Sequence, residues 1–96
     1  MNRLKDKVAV ITQAGSYFGR AVAEAYAEEG AKLYLQDWEE RQDVIEKLTE
    51  DIREKMGVEV VSGIWDITTG KQTLAMTEDI MEKYAGIDIL VNTAME

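Results

Sequence analysis

The sequence predicts an α/β domain, a doubly wound parallel sheet in three layers with elements in the order β-α-β-α-β-α-β. Three observations carry this. Short apolar runs rich in β-branched residues recur along the chain, and the first of them, Val8-Ala9-Val10-Ile11, shows no alternation. That is the pattern of a strand buried on both faces, as in a parallel sheet covered by helices. Segments of helical period separate the runs, and the connections are only a few residues long, as right-handed crossovers allow.

In chain order, residues 7–12 form the first strand and end in the polar turn Thr12-Gln13-Ala14-Gly15-Ser16. Ser16 reads as the N-cap of the first helix, in which Phe18, Val22 and Tyr26 share an inward face while Arg20, Glu24 and Glu28 face away. Gly30 closes that helix and residues 31–37 make the second strand. Residues 40–56 are helical, with Val44, Leu48, Ile52 and Met56 in a row beside Ile45, and Gly57 stops them. Residues 58–65 form the third strand, which Gly63 weakens or bends. Residues 71–84 form the third helix, with Leu74, Thr77, Ile80, Met81 and Tyr84 inward and Gly86 as its stop. Residues 87–92 are the fourth strand. Trp38 and Trp65 read as partly buried packing residues.

Ninety-six residues hold one domain, near the lower size at which a single core suffices. The chain has no cysteine and no histidine, which excludes disulfides, thiolate metal sites and Ser-His or Cys-His catalysis. Its net charge of -8 repels nucleic acid and anionic lipid alike. No apolar run approaches the roughly 20 residues that span a bilayer, and the charged start has no apolar stretch before the first strand. The expectation is a cytoplasmic protein with neither nucleic acid nor membrane as partner. The Glu24, Glu28, Glu29 and Glu39-Glu40 clusters read as solvated helix faces, so no metal site is expected.

A strand that passes through a glycine-containing turn into a helix is where a dinucleotide's phosphates sit in the first unit of such a sheet. The residues also resemble a family. Lys7-Val-Ala-Val-Ile-Thr12, the turn, Gly19-Arg-Ala-Val-Ala-Glu-Ala-Tyr-Ala-Glu-Glu-Gly-Ala31, Asp37, Asp66-Ile-Thr and Ile87-Asp-Ile-Leu-Val-Asn-Thr-Ala94 together are similar to the N-terminal half of the short-chain dehydrogenases/reductases. The resemblance covers essentially the whole chain and implies a Rossmann-like sheet with strand order 3-2-1-4. Its nucleotide turn, Thr-Gly-x-x-x-Gly-x-Gly, falls on Thr12, Gln13, Tyr17 and Gly19, of which only Thr12 and Gly19 match. Tyr17 stands where a glycine lets the pyrophosphate approach, so its side chain is expected to project toward the phosphate space and fill it.

The resemblance implies cofactor contacts from Thr12, Gln13, Gly15, Ser16, Phe18 and Gly19 in the turn. It implies that Asp37 receives the adenosine ribose hydroxyls, which favours NAD over NADP because a carboxylate opposes a 2′-phosphate. Asp66 and Ile67 fall to the adenine, Asn92 and Ala94 to the inner ribose. The family's Ser and Tyr-x-x-x-Lys lie beyond this half. None of the four tyrosines here has a lysine four residues on, so no catalytic residue is assigned and the chain alone is expected to be inactive.

Three functions stay open: the NAD-binding portion of an oxidoreductase, a module that binds an adenine nucleotide without turnover, and a non-catalytic interaction protein whose pocket is blocked by Gln13 and Tyr17. The fourth strand is interior in the family and an edge here. The chain is therefore expected to form a homo-oligomer or to be completed by a second chain.

Overall fold

A computed structural model describes residues 2–93. Strands β1 (Val8–Ile11), β2 (Lys32–Asp37), β3 (Val60–Ile64) and β4 (Ile89–Val91) form one parallel sheet in the order β3-β2-β1-β4. Helices α1 (Tyr17–Glu28), α2 (Gln42–Met56) and α3 (Gly70–Tyr84) supply the crossovers. Val8 stands opposite Lys32 and Ile11 opposite Leu35, while Ala9 stands opposite Ile89 on the other side. The expected fold class, element order and strand order are all met. The strands are one to three residues shorter at their ends than the sequence implies.

Alternate strand residues feed two cores, which makes the three layers. Ala9, Ile11, Leu33, Leu35 and Val60 pack with Ala23 and Ala27 of α1 and Ile45, Leu48 and Ile52 of α2. On the other face Val10 and Tyr34 pack with Met76 and Ile80 of α3. All four residues of β1 are buried, as its unbroken apolar run requires.

The helix faces differ from the expected ones. In α1 the buried row is Gly19, Ala23 and Ala27, whereas Phe18 is 59% exposed and Val22 and Tyr26 lie at the flanks. Small residues let the helix approach the sheet closely, and the larger ones are turned to its sides. A short 3-10 turn, Glu39–Arg41, precedes α2, so Glu40 is outside the helix and Val44 is exposed. In α3 Leu74 and Met81 are exposed rather than inward. Ala85, not Gly86, takes the left-handed position that ends α3, at φ 62°.

A buried polar link ties α3 to the sheet. Tyr34 donates to Asp79 Oδ2 at 2.6 Å and accepts from Trp65 Nε1 at 2.8 Å. Gly63 leaves room for this link: a Cβ there would collide with the Tyr34 hydroxyl and the Trp65 indole. β3 runs through Gly63 in register with Gln36, so the glycine serves space rather than a bend. Burial and the hydrogen bond to Asp79 hold the Tyr34 hydroxyl well above its ordinary pKa. Burial and the charge of Glu59 push Tyr84 up to about 12, and its hydroxyl donates to the Leu33 carbonyl at 3.0 Å.

β4 is an edge. Leu90, the register partner of Val10, lies on the α3 side of the sheet and is 63% exposed, because α3 does not extend over β4.

Candidate functional site

The carboxyl ends of β1, β2 and β4 meet at one edge of the sheet, and the 12–16 turn joins them. The Thr12 amide donates to the Val91 carbonyl at 3.0 Å, and its hydroxyl donates to Asn92 Oδ1 at 3.0 Å. The Thr93 amide in turn donates to the Thr12 hydroxyl, and the Thr93 hydroxyl to the Thr12 carbonyl. Gln13 sits at φ 50°, a left-handed conformation that glycine adopts most easily. It is held there by its amide, which donates to Gln36 Oε1 at 2.9 Å, and by the next amide, of Ala14, which donates to the Gln36 carbonyl. The buried Gln36 also donates through Nε2 to the Trp65 carbonyl at 2.7 Å. One side chain thus bridges the turn, β2 and the end of β3.

Ser16 caps α1 as expected. Its hydroxyl accepts from the Gly19 amide at 3.0 Å and donates to the Gln13 carbonyl at 2.8 Å. The first amides of a helix have no intrahelical acceptor, which leaves those of Tyr17 and Phe18 at the positive end of the helix dipole. Gly19 is indispensable to the turn because a Cβ there would strike the Gln13 carbonyl and Ala14 Cα. That inward place fixes Tyr17. Two residues earlier at about 100° per residue, it points nearly opposite to Gly19, and it is 95% exposed. Its side chain therefore stands in solvent at the start of α1, turned away from the sheet.

Asp37 lies at the carboxyl end of β2 with none of its surface exposed. Its Oδ2 accepts from the Gly15 amide at 2.7 Å and its Oδ1 from the Trp38 amide at 2.8 Å. A Cβ on Gly15 would stand 2.5 Å from that Oδ2 and 3.5 Å from Arg41 Cδ, so Gly15 is what lets the turn reach the carboxylate. Arg41 Nη1 is 3.6 Å from Asp37 Oδ2, an ion pair, and Nη1 is buried without a hydrogen-bond partner. Near this pair, the ends of β2 and β3, the turn before α2 and the start of α3 border a hollow of about 330 Å³ lined by Trp38, Ile64 and Trp65 together with the polar Glu39, Glu40, Asp66 and Gln72. The Asp66 carboxylate accepts from the Thr68 hydroxyl at 2.5 Å and its amide at 3.0 Å, and these bonds hold it below the usual carboxylate range. The close backbone approach at Gly15, the buried Asp37 carboxylate and this hollow lie along one edge of the sheet.

Thr12, Gln13, Gly15, Ser16, Gly19, Asp37 and Asn92 share this edge of the sheet, and Asp66 lines the hollow. Phe18 lies at the helix start with its ring largely in solvent, and Ile67 packs beside the α3 core rather than on the hollow. Ala94 lies outside the described residues.

Residues 7–95 match the family described as short chain dehydrogenase. The chain belongs to that family. It is 35% identical over 94 residues to an uncharacterized oxidoreductase of Staphylococcus saprophyticus, covering 98% of this chain and 39% of that protein. L-sorbose reductase from Gluconobacter frateurii, solved with NADPH and L-sorbose, superposes with a TM-score of 0.90 at 35% identity, over 99% of this chain and 35% of the reductase. A short chain dehydrogenase/reductase from Burkholderia phymatum, solved in complex with NAD, gives 0.83 at 37% identity, over 94% and 31%. The chain thus spans only 31 to 39% of the length of these relatives.

Two site residues escape a reading of the sequence. Gln36 is signalled only by an amide side chain that follows Leu33-Tyr34-Leu35, and Arg41 only by its spacing of four from Asp37. Among the described residues no helix is long and apolar enough to cross a membrane.

Gly19→Ala is expected to destabilise the fold by about 1–3 kcal/mol, as overpacking against backbone does. Gly70→Ala, where a Cβ meets nothing within 4 Å, serves as control. Thermal unfolding followed by circular dichroism should show a Tm lower by roughly 4 °C or more for the first only; equal midpoints would refute the fit.

Proposed function

We propose that this chain is the NAD-binding part of a short-chain dehydrogenase/reductase-type oxidoreductase, and that it does not transfer hydride by itself. The observation that carries the proposal is the 2.7 Å hydrogen bond from the Gly15 amide to Asp37, which fastens the β1–α1 turn to the carboxyl end of β2. In an open α/β sheet, ligands bind at this edge, where the strand order reverses. Here that reversal lies between β1 and β4. The solved relatives with NADPH and with NAD support a nicotinamide dinucleotide as the ligand class.

Each part of the ligand has a counterpart in the chain. The adenine goes to the hollow beside Trp38 and Asp66, and the ribose hydroxyls to Asp37. The diphosphate lies against the Tyr17 and Phe18 amides, where the helix dipole favours negative charge. Asn92 meets the inner ribose. A carboxylate at the ribose repels a 2′-phosphate, which favours NAD over NADP. Bound NAD supplies a hydride acceptor; the chain's own groups bind and orient it. Proton exchange with a substrate oxygen needs a tyrosine whose pKa is brought down by a lysine. No tyrosine in this sequence has a lysine four residues on, and Tyr34 and Tyr84 are shifted upward.

Calorimetric titration with NAD, NADP, ADP and AMP tests this. NAD binding tighter than NADP, with no NADH formed from alcohols by the chain alone, is the expected result. The absence of heat with all four nucleotides would refute the binding role.

A second reading concerns assembly. β4 is an edge, and Leu74, Met81, Ile87 and Leu90 are exposed. We propose that a second copy or another chain covers this surface, since such an edge offers unpaired backbone groups and such a patch favours burial. Light scattering at tens of micromolar should give a mass above the 10.8 kDa of one chain. A monodisperse monomer would contradict it.

A further inference from the structure

We infer that Gln36 is a positioning residue of the nucleotide site: its side-chain amide does the work of the glycine that the β1–α1 turn lacks at position 13, and so sets how tightly that turn receives a nucleotide. This rests on the nucleotide reading above.

Three observations carry it. Gln13 stands at φ 50°, where residues other than glycine are disfavoured. Pairing between β1 and β2 ends at Ile11 and Leu35, so the Gln13 amide lies past the last rung of the ladder. Gln13 is buried, and a buried amide without an acceptor is unfavourable. The acceptor it has is Gln36 Oε1 at 2.9 Å, on a side chain with no exposed surface. The other end of that side chain, Nε2, donates to the Trp65 carbonyl at 2.7 Å. Gln36 therefore cannot turn away from Gln13 without breaking a second bond. The place needs a group that accepts from the turn and donates to the end of β3 at once, which a carboxamide does.

The consequence for binding follows from the shape of the turn. An apolar residue at position 36 would leave both the Gln13 amide and the Trp65 carbonyl unmatched. The left-handed conformation then loses its support, and the turn shifts toward arrangements in which the amides at the start of α1 no longer face a diphosphate. Affinity falls with the fraction of molecules that keep the competent turn. A glycine at position 13 adopts the same conformation without that support, which makes Gln36 dispensable for binding. Gln13 and Gln36 are a compensating pair.

The test is calorimetric titration of wild type, Gln36→Leu, Gln13→Gly and the double variant with NAD, after circular dichroism has established that each is folded. Gln36→Leu should weaken NAD roughly five- to thirtyfold, the factor by which a left-handed non-glycine residue is disfavoured. Adding Gln13→Gly should bring NAD back to within about threefold of wild type, although Gln36→Leu lowers the Tm in both backgrounds. An equal loss of NAD affinity in the two backgrounds would make Gln36 merely structural and overturn the inference, as would wild-type affinity in Gln36→Leu. In wild type itself, hydrogen exchange followed by NMR should show the Gln13 amide protected. Exchange there at the rate of an exposed amide would sink the role of Gln36 even if no variant at that position folds. If wild type binds no NAD, the nucleotide reading fails and the positioning role with it.

Discussion

The structure of the candidate site depends on one hydrogen bond, from the Gly15 amide to the buried Asp37 carboxylate. It joins the turn after β1 to the end of β2, and everything at that edge is placed relative to it. A carboxylate can be buried only if its oxygens find donors, because an unsatisfied charge in a low-dielectric surrounding is very unfavourable. Here two backbone amides supply them, and the Arg41 guanidinium adds an opposite charge at 3.6 Å. The requirement for close approach explains Gly15, and the shape of the turn that presents its amide explains Gly19. The left-handed Gln13 follows from the same turn: the chain must reverse between β1 and α1, and Gln36 supplies the acceptors that hold a non-glycine residue there.

The two cores serve this edge. β1, buried on both faces and flanked by parallel partners, is a rigid platform from which the turn projects. α1 lies close to it because its inward row is Gly19, Ala23 and Ala27. At this same carboxyl end of β1 the hydroxyls of Thr12 and Thr93 bind β4 into the edge. On the opposite face the Tyr34, Asp79 and Trp65 link fixes α3 against β2 and β3, and with it the wall of the two-tryptophan hollow.

Much of this was legible in the sequence. Unbroken β-branched runs give buried strands, and glycine after a helical segment gives its stop, so the element order and the parallel sheet follow from local pattern alone. Gly30 and Gly57 do adopt positive φ at their helix ends. Ala85 does so without being glycine, which no composition rule anticipates. Helix faces were harder to read, since Phe18, Leu74 and Met81 have the right spacing to be inward. Which stripe is buried depends on how closely a helix can approach the sheet and how far it extends across it, and these are properties of the packed layers. The site was legible where residue type and place coincide, as at Asp37 and Ser16. It was not legible at Arg41 and Gln36, whose roles arise from contacts across the sheet edge, nor at Tyr17, whose outward direction follows from the helical phase that Gly19 imposes.

The most direct measurement is a two-dimensional amide NMR titration of the chain with NAD. The account predicts that the shifted amides cluster at residues 12–19, 37–38, 65–66 and 92–93, along one edge of the sheet. Shifts confined to the opposite edge or to the outer faces of α2 and α3, or no shifts at saturating nucleotide, would contradict it.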